Sequence, residues 1–188
     1  MKKKIAFLLM IVVIVGAGIM GMSKSLTEGH AKLIEIYQDE GNDFSVGNAI
    51  EQSVDKIQNM VKLAVRYKDS NSRLEPLYQA IEDKLAVLYL DETNLADSQT
   101  LKELYSLSNN LLAELEDTGL NEEDQKYPQN LMVEILSLRD QISHADYNQK
   151  AADWNQKYNQ FPATFLRTIK IGDIRLADIK LLPEYSDL

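Results

Sequence analysis

The sequence predicts an all-α protein in which long amphipathic helices pack side by side at shallow angles, behind an apolar N-terminal helix. Apolar residues recur at alternating steps of four and three over most of the chain. Only 8 glycines and 4 prolines occur among 188 residues, which permits long uninterrupted helices. Residues 5–22 carry no charged or strongly polar side chain. This length suffices for one membrane anchor and one domain with a core.

The N-terminal segment has the composition of a membrane anchor. Lys2, Lys3 and Lys4 precede the eighteen apolar residues 5–22. A membrane helix needs about 20 apolar residues, whereas a signal peptide has a core of about 7–15. Residues 16–18 and 21–23 remain candidate cleavage sites. We expect residues 1–23 to be cytoplasmic lysines and a transmembrane anchor, or an uncleaved signal, with the body outside the cytoplasm.

The first half of the body predicts two or three helices. Residues 24–37 continue as a helix, residues 38–45 form a turn, and Ser45 suits the N-cap of the next helix. That helix has a coiled-coil-like seam of five apolar residues: Ile50, Val54, Ile57, Val61 and Ala64. Residues 69–72 interrupt the pattern, and Ser72 with Glu75 forms a capping box for a following helix. One long kinked helix is the alternative.

The second half of the body predicts two further helices. Ser98 suits the start of the first, and Gly119 suits its end. Pro128 suits the first turn of the last and longest helix, which we expect to span residues 128–159. Its apolar stripe keeps the four–three rhythm through Leu131, Ile135, Leu138, Ile142 and Ala145. We expect residues 24–165 to form one helical-bundle domain, with residues 166–188 as a tail packed on it.

Aromatic–asparagine pairs dominate the end of the last helix. Three aromatics at steps of seven and four share one stripe, and the asparagine after each shares the next: Tyr147-Asn148, Trp154-Asn155 and Tyr158-Asn159. Phe161-Pro162 then ends the helix. The aromatics predict a buried helix seam whose register the asparagines fix. The alternative interpretation is a cleft that binds a peptide or a small ligand.

These elements resemble the LemA family. Its C-terminal signature is similar to Tyr147-Asn148, Tyr158-Asn159 and Phe161-Pro162 in this chain. An earlier family motif resembles the segment with Ile57, Asn59, Val61 and Tyr67, and the family's tyrosine–proline pair resembles Tyr127-Pro128. The resemblance covers residues 45–165.

The resemblance implies an antiparallel bundle of about four long helices on an N-terminal membrane helix, with the body commonly outside the cell. It implies no catalytic residue. The chain departs from the family pattern at Gln58, where proline is usual. It also lacks the arginine pair that precedes the first motif.

The sequence contains no motif for catalysis, a cofactor or a metal. His30 and His144 are far apart, no cysteine is present, and neither a glycine-rich phosphate loop nor a Gly-x-Ser-x-Gly elbow occurs. One acidic group could in principle hold a hard cation: Glu114, Glu116, Asp117, Glu122, Glu123 and Asp124. Because no calcium-binding loop pattern is present, these carboxylates are better explained as a solvated face.

The charge of the body argues against nucleic acid as a partner. Residues 23–188 contain all 29 acidic residues and 17 of the 20 basic ones, which leaves them with a net charge of −12. We therefore expect a non-enzymatic, membrane-anchored protein without cofactors that contacts another envelope protein, with residues 5–22 in the lipid bilayer. The alternative is an extracytoplasmic ligand-sensing or solute-binding helical domain.

Overall fold

The computed structural model describes residues 2–38, 45–88, 96–160 and 182, except for the side chains of residues 2–8 and 11–12. Within those ranges the fold is all-helical, without a β-strand, as the sequence predicts. The described residues form six helices in chain order: α1 (Lys2–Gln38), α2 (Val46–Tyr67), α3 (Leu74–Val87), α4 (Ser98–Glu116), α5 (Tyr127–His144) and α6 (Tyr147–Asn159). They belong to two compact units, one containing α1 through Ile36 together with α6, and one containing α2 to α5.

The unit of α2 to α5 is a set of antiparallel helix pairs. α2 packs against the other three helices, α3 packs against α4, and α4 packs against α5. Four ion pairs join the helices in order: Lys56–Glu134 and Arg66–Asp124 between α2 and the α5 side, and Arg73–Glu114 and Lys84–Glu103 between the α3 side and α4. Within each of these two sets, the residue later in one helix pairs with the residue earlier in the other segment. The paired helices therefore run in opposite directions.

Apolar side chains at the predicted heptad positions form the core of this unit. The stripe of α2 is confirmed, because Ile50, Ile57 and Ala64 are fully buried, and Val54 and Val61 are nearly so. Leucines of α4 and α5 complete the core: Leu101, Leu104, Leu111, Leu115 and Leu131. Full burial of one such side chain contributes about 1.5–3 kcal/mol, so the apolar seam contributes more than the ion pairs, each of which has at least one partly exposed partner.

Helix starts follow the predicted residue types but not always the predicted positions. Ser45 caps α2, since its Oγ accepts a hydrogen bond from the Asn48 backbone N–H at 3.1 Å. The prediction for Ser98 was wrong by one residue. Asp97 caps α4, because its carboxylate accepts from the backbone N–H of Thr100 at 2.9 Å.

The capping box that was predicted for α3 does not form. α3 begins at Leu74, and its N-cap residue, Arg73, makes no side-chain cap. The Asn71 side chain instead accepts a hydrogen bond from the Arg73 backbone N–H at 3.0 Å. Ser72 therefore lies outside the helix start, although the interruption that separates α2 from α3 is confirmed.

The prediction of one helix from residue 128 to 159 was wrong. α5 ends at His144, Ala145 is extended with φ −72° and ψ 139°, and α6 begins at Tyr147. Ser143 Oγ donates to the carbonyl oxygen of Asp140 at 2.8 Å, and His144 Nδ1 lies 2.8 Å from the same oxygen. Such local side-chain bonds compete with a continued backbone ladder.

The ends of α4 and α5 also differ from the prediction in detail. α4 ends at Glu116, three residues before Gly119. Pro128 lies in the first turn of α5, as expected. On α5 the structure buries Arg139, while Leu138, which the four–three rhythm assigns to the stripe, is only half-buried.

α1 is one continuous helix of 37 residues that runs through Gly29 without a break. Within the described part of the chain, no helix has a stretch long and apolar enough to cross a bilayer. The predicted anchor, residues 5–22, lies partly outside the residues whose side chains are described. The predicted tail, residues 166–188, also lies outside them, except for Leu182, which is buried.

Candidate functional site

The residues that carry the family resemblance lie in both units. One set belongs to the unit of α2 to α5: Ile57, Asn59, Val61, Tyr67, Tyr127 and Pro128. The other set belongs to α6: Tyr147, Asn148, Tyr158 and Asn159, with Trp154 and Asn155 between these two pairs. Phe161 and Pro162 lie outside the described residues.

In the first set, burial separates packing residues from surface residues. Ile57 and Val61 are in the core, and Pro128 is buried at the start of α5. Asn59 is half-buried, and its Oδ1 accepts a hydrogen bond from Lys62 Nζ at 3.1 Å. Tyr127 is 40% exposed, which makes it a surface residue despite its place in the motif.

Trp154 is the centre of the contact between α6 and α1. Its indole is 5% exposed, and its Nε1–H donates a hydrogen bond to the carbonyl oxygen of Leu26 at 3.2 Å. Tyr158 stacks on it, with ring centroids 4.8 Å apart and planes 15° apart. The ring of His30 lies 5.3 Å from it at 64°. We call His30, Trp154 and Tyr158, with Leu26 and Gly29 of α1, the aromatic seam.

Gly29 allows this close approach. A Cβ at this position would lie 2.9 Å from Cδ1 and 3.1 Å from Nε1 of the Trp154 indole. By sequence alone Gly29 only weakens a helix, so its role at the seam was missed. The available signal was an isolated glycine inside an otherwise helical pattern, which often marks close packing.

The sequence prediction of a buried aromatic stripe on α6 is confirmed. Tyr147, Trp154 and Tyr158 are all at most 5% exposed, and Ala151 between them is fully buried. The asparagines lie beside this buried stripe and are less buried than the aromatics: Asn148 and Asn155 are half-buried, and Asn159 is exposed. The role of these asparagines in fixing register stays a prediction.

The two histidines have different environments. His30 is half-buried at the aromatic seam, and this burial lowers the pKa of its imidazole below the ordinary value. His144 is exposed at the end of α5. In the part of the chain that the structure describes, no group of histidines and carboxylates could hold a metal ion.

Tyr67 joins the end of α2 to the acidic loop before α5. Its hydroxyl donates to Asp124 Oδ2 at 2.8 Å and accepts from the backbone N–H of Asn121 at 3.2 Å. Arg66 Nη2 lies 3.2 Å from the other oxygen of the same carboxylate. The hydroxyl and the guanidinium thus compensate the burial of Asp124. We call Arg66, Tyr67, Asn121 and Asp124 the loop latch.

Asn71 makes the matching connection to the end of α4. Its Nδ2 lies 3.2 Å from the carbonyl oxygen of Glu114, 3.2 Å from Oε2 of that residue and 3.1 Å from Oγ1 of Thr118. The sequence identified neither Asn71 nor Asp124 as a connecting residue, because the contacts join positions 43–58 residues apart.

Arg139 and Tyr105 meet inside the unit of α2 to α5. The guanidinium carbon lies 4.9 Å from the centroid of the Tyr105 ring, and both residues are at most 6% exposed. This cation–π contact connects α4 to α5. No sequence motif predicted it, since an arginine beside an apolar stripe usually extends to water.

α5 also carries an exposed apolar pair. Val133 is 66% exposed and Leu136 is 48% exposed, and their spacing of three places them on one face of the helix. Glu134 between them pairs with Lys56.

The aromatic seam and the loop latch therefore consist of packing, capping and ion pairing between segments that are distant in sequence. Tyr67, which the family resemblance names, is the central residue of the loop latch, and Trp154, which lies between the two tyrosine–asparagine pairs of the resemblance, is the central residue of the aromatic seam. Comparisons of this chain with protein-family models, with curated proteins and with solved structures found no match.

Proposed function

We propose that the chain is a membrane-anchored, LemA-like helical-bundle protein whose body lies outside the cytoplasm and contacts another protein at the cell envelope, without enzymatic activity. The observation that carries this proposal is the composition of α1. Residues 5–22 of this helix are an uncharged apolar run, and its second half packs on α6 through Trp154.

The exposure of the apolar side chains in α1 supports a lipid environment. Six of them are 54–76% exposed: Leu9, Met10, Val13, Ile14, Val15 and Met20. Each Å² of apolar surface left in water costs about 25 cal/mol relative to burial, so a contiguous run of this kind is suited to a bilayer or a partner. Three lysines before the run favour a cytoplasmic N-terminus.

The LemA-like architecture is supported by what the motif residues do. Tyr67 ends α2 and holds the loop before α5, and Tyr158 stacks on Trp154 where α6 contacts α1. The antiparallel pairs α2–α5 and α3–α4 are compatible with the antiparallel four-helix bundle that the resemblance implies.

Contact with a protein partner is supported by the exposed pair Val133 and Leu136 on α5. A helix face of this kind can be recognised by a groove or by another helix. The absence of catalytic motifs from the sequence supports a role without chemistry.

The absence of cysteine from the chain makes the topology directly testable. Ser106→Cys places one thiol on the exposed face of α4, and Lys4→Cys places one before the apolar run. A membrane-impermeant maleimide should label the first variant in intact cells and the second only after lysis. Release of the protein by alkaline carbonate, or equal labelling of both variants in intact cells, would contradict the proposal.

The partner can be sought with a photo-crosslinking amino acid at Val133 or Leu136, in membranes. Asn110, exposed on α4, provides the matched control position. We expect protein adducts from the α5 positions and not from the control. Adducts absent from all three positions, together with a small molecule that raises the Tm, would favour the ligand-sensing alternative.

A further inference from the structure

We propose that the solvent-facing stripe of α5 binds the same stripe of a second copy of this chain, with the two α5 helices antiparallel and Val133 and Leu136 at the centre of the contact. This inference rests on the partner contact proposed above, and it names that partner.

The stripe is exposed along most of α5. At about 100° per residue, the side chains within about 60° of the direction of Val133 form one face of the helix. All of them are exposed, from Lys126 and Asp140 at the two ends to Gln129, Asn130, Leu136 and Ser137 between these ends. We call these six residues, with Val133, the α5 outer face.

The centre of the α5 outer face is apolar. Val133 is 66% and Leu136 is 48% exposed, and they are the most exposed of the large apolar side chains that the structure describes in the unit of α2 to α5. Beside them Glu134 pairs with Lys56, so the flank of the face is neutral. Contact with a second copy removes four such side chains from water, two from each copy.

The charge of the body disfavours contact between copies over most of the surface. Residues 23–188 carry a net charge of −12, so two copies repel each other in general. The α5 outer face contains one lysine and one aspartate and is neutral in total. A second copy that docks there adds no excess of like charge to the contact.

The positions of these two charges make the face complementary to itself. Lys126 lies seven residues before Val133, and Asp140 lies seven residues after it. When a second α5 packs antiparallel about Val133, Lys126 of each copy therefore faces Asp140 of the other, which gives two ion pairs. A parallel arrangement would oppose like charges instead.

The carboxylate of Asp140 is accessible for this pairing. Its side chain is 73% exposed, although its Oδ1 lies 3.5 Å from Nδ1 of His144 on the same helix. A contact in which identical faces meet about a two-fold axis is the usual form of a symmetric dimer.

The size of the face determines where the contact can be measured. One helix face of about four turns is at the low end of interface sizes, so we expect weak association between free molecules. Anchoring both copies in one membrane raises their effective concentration. The experiment therefore uses the full-length protein in membranes.

The chain contains no cysteine, so a single thiol can report on the contact. Val133→Cys places it at the centre of the α5 outer face, and Asn110→Cys places it on the exposed side of α4 as the matched control. Mild oxidation with copper phenanthroline should link two copies of the first variant and not of the second. Equal amounts of dimer from both variants would overturn the proposal, because random collision would explain them.

Charge reversal tests the antiparallel pairing. In the Val133→Cys background, Lys126→Asp alone or Asp140→Lys alone makes both pairs repulsive and should lower the dimer yield about fivefold or more. The two substitutions together restore opposite charges and should return the yield to that of Val133→Cys. A double variant that dimerises no better than the single ones would overturn the proposal, since rescue within one chain requires that the face binds its own copy.

A photo-crosslinking amino acid at Val133 separates this inference from the broader partner role. Adducts with twice the mass of the chain support the second copy. Adducts with a different protein, together with no disulfide dimer, would overturn the second copy and leave the partner contact in place. Neither adduct nor dimer would overturn both.

Discussion

A methyl group added at Gly29 would lie 2.9 Å from Cδ1 of Trp154, closer than real Cβ contacts come. Gly29→Ala therefore has two opposing effects on stability. The higher helix propensity of alanine stabilises α1 by about 1 kcal/mol, whereas overpacking against the indole costs about 1–3 kcal/mol. We expect overpacking to dominate and the seam to be destabilised. Thermal unfolding followed by Trp154 fluorescence measures the effect.

Gly21→Ala is the control for this substitution. It lies on the same helix, and an added Cβ would meet nothing within 4 Å. Its unfolding curve should match or exceed that of the wild type. If Gly29→Ala behaves like Gly21→Ala, the close approach of the two helices is not rigid.

Replacement of the indole should weaken the α1–α6 contact strongly. Trp154→Ala removes a buried aromatic and should cost about 3–5 kcal/mol. Trp154→Phe keeps a ring but loses the hydrogen bond to the Leu26 carbonyl, so its effect should be smaller. Hydrogen exchange of residues 23–36 and of α6, measured by mass spectrometry, shows which of the two variants destabilises the contact more. Unchanged exchange in Trp154→Ala would mean that the indole contributes nothing to the contact.

The hydroxyl of Tyr67 should stabilise the unit of α2 to α5 measurably. Tyr67→Phe leaves the buried Asp124 carboxylate and the Asn121 N–H without this partner, at a cost of about 1–3 kcal/mol. Tyr127→Phe, at a 40% exposed residue, should change stability by less than about 0.5 kcal/mol. Urea unfolding followed by circular dichroism compares them, and equal midpoints would argue against the loop latch.

Asn71, and not its neighbour Ser72, should be the sensitive residue between α2 and α3. Asn71→Ala removes the bonds to Glu114 and Thr118 and should cost about 1–2 kcal/mol. Ser72→Ala should be nearly neutral, because Ser72 does not cap α3. The same urea measurement applies. A larger loss for Ser72→Ala would reinstate the capping box that the sequence suggested.

The sequence predicted the helices well because their burial follows a simple period. The stripe from Ile50 to Ala64 and the aromatic stripe from Tyr147 to Tyr158 are both buried as expected. The spacing of apolar residues alone, however, does not reveal that two residues, 145 and 146, interrupt the helix, because the apolar spacing continues across them. At the end of α5 the side chains of Ser143 and His144 both contact the Asp140 carbonyl oxygen, and local bonds of this kind compete with a continued helix.

The connecting residues could not be predicted because each depends on a partner far away in the chain. Asp124 is one of several carboxylates in an acidic stretch, and only the fold brings it to Tyr67 and Arg66. Arg139 is likewise adjacent to a good core residue in sequence, yet it is the one that reaches Tyr105. Local propensity contains no information on such pairings.

Because α1 is continuous, it fixes both the distance and the rotation about the helix axis between its apolar half and the half that contacts α6. Its 37 residues extend for about 55 Å, and each residue turns the helix by about 100°. One alanine inserted after Met22 would therefore rotate the face with Leu26 and Gly29 about the helix axis by about 100° relative to Val15. Seven inserted residues would return this face to within about 20° of its original direction. Because no break separates the two halves of α1, a rotation of the apolar half about the helix axis would also rotate Leu26 and Gly29, on which Trp154 of α6 packs.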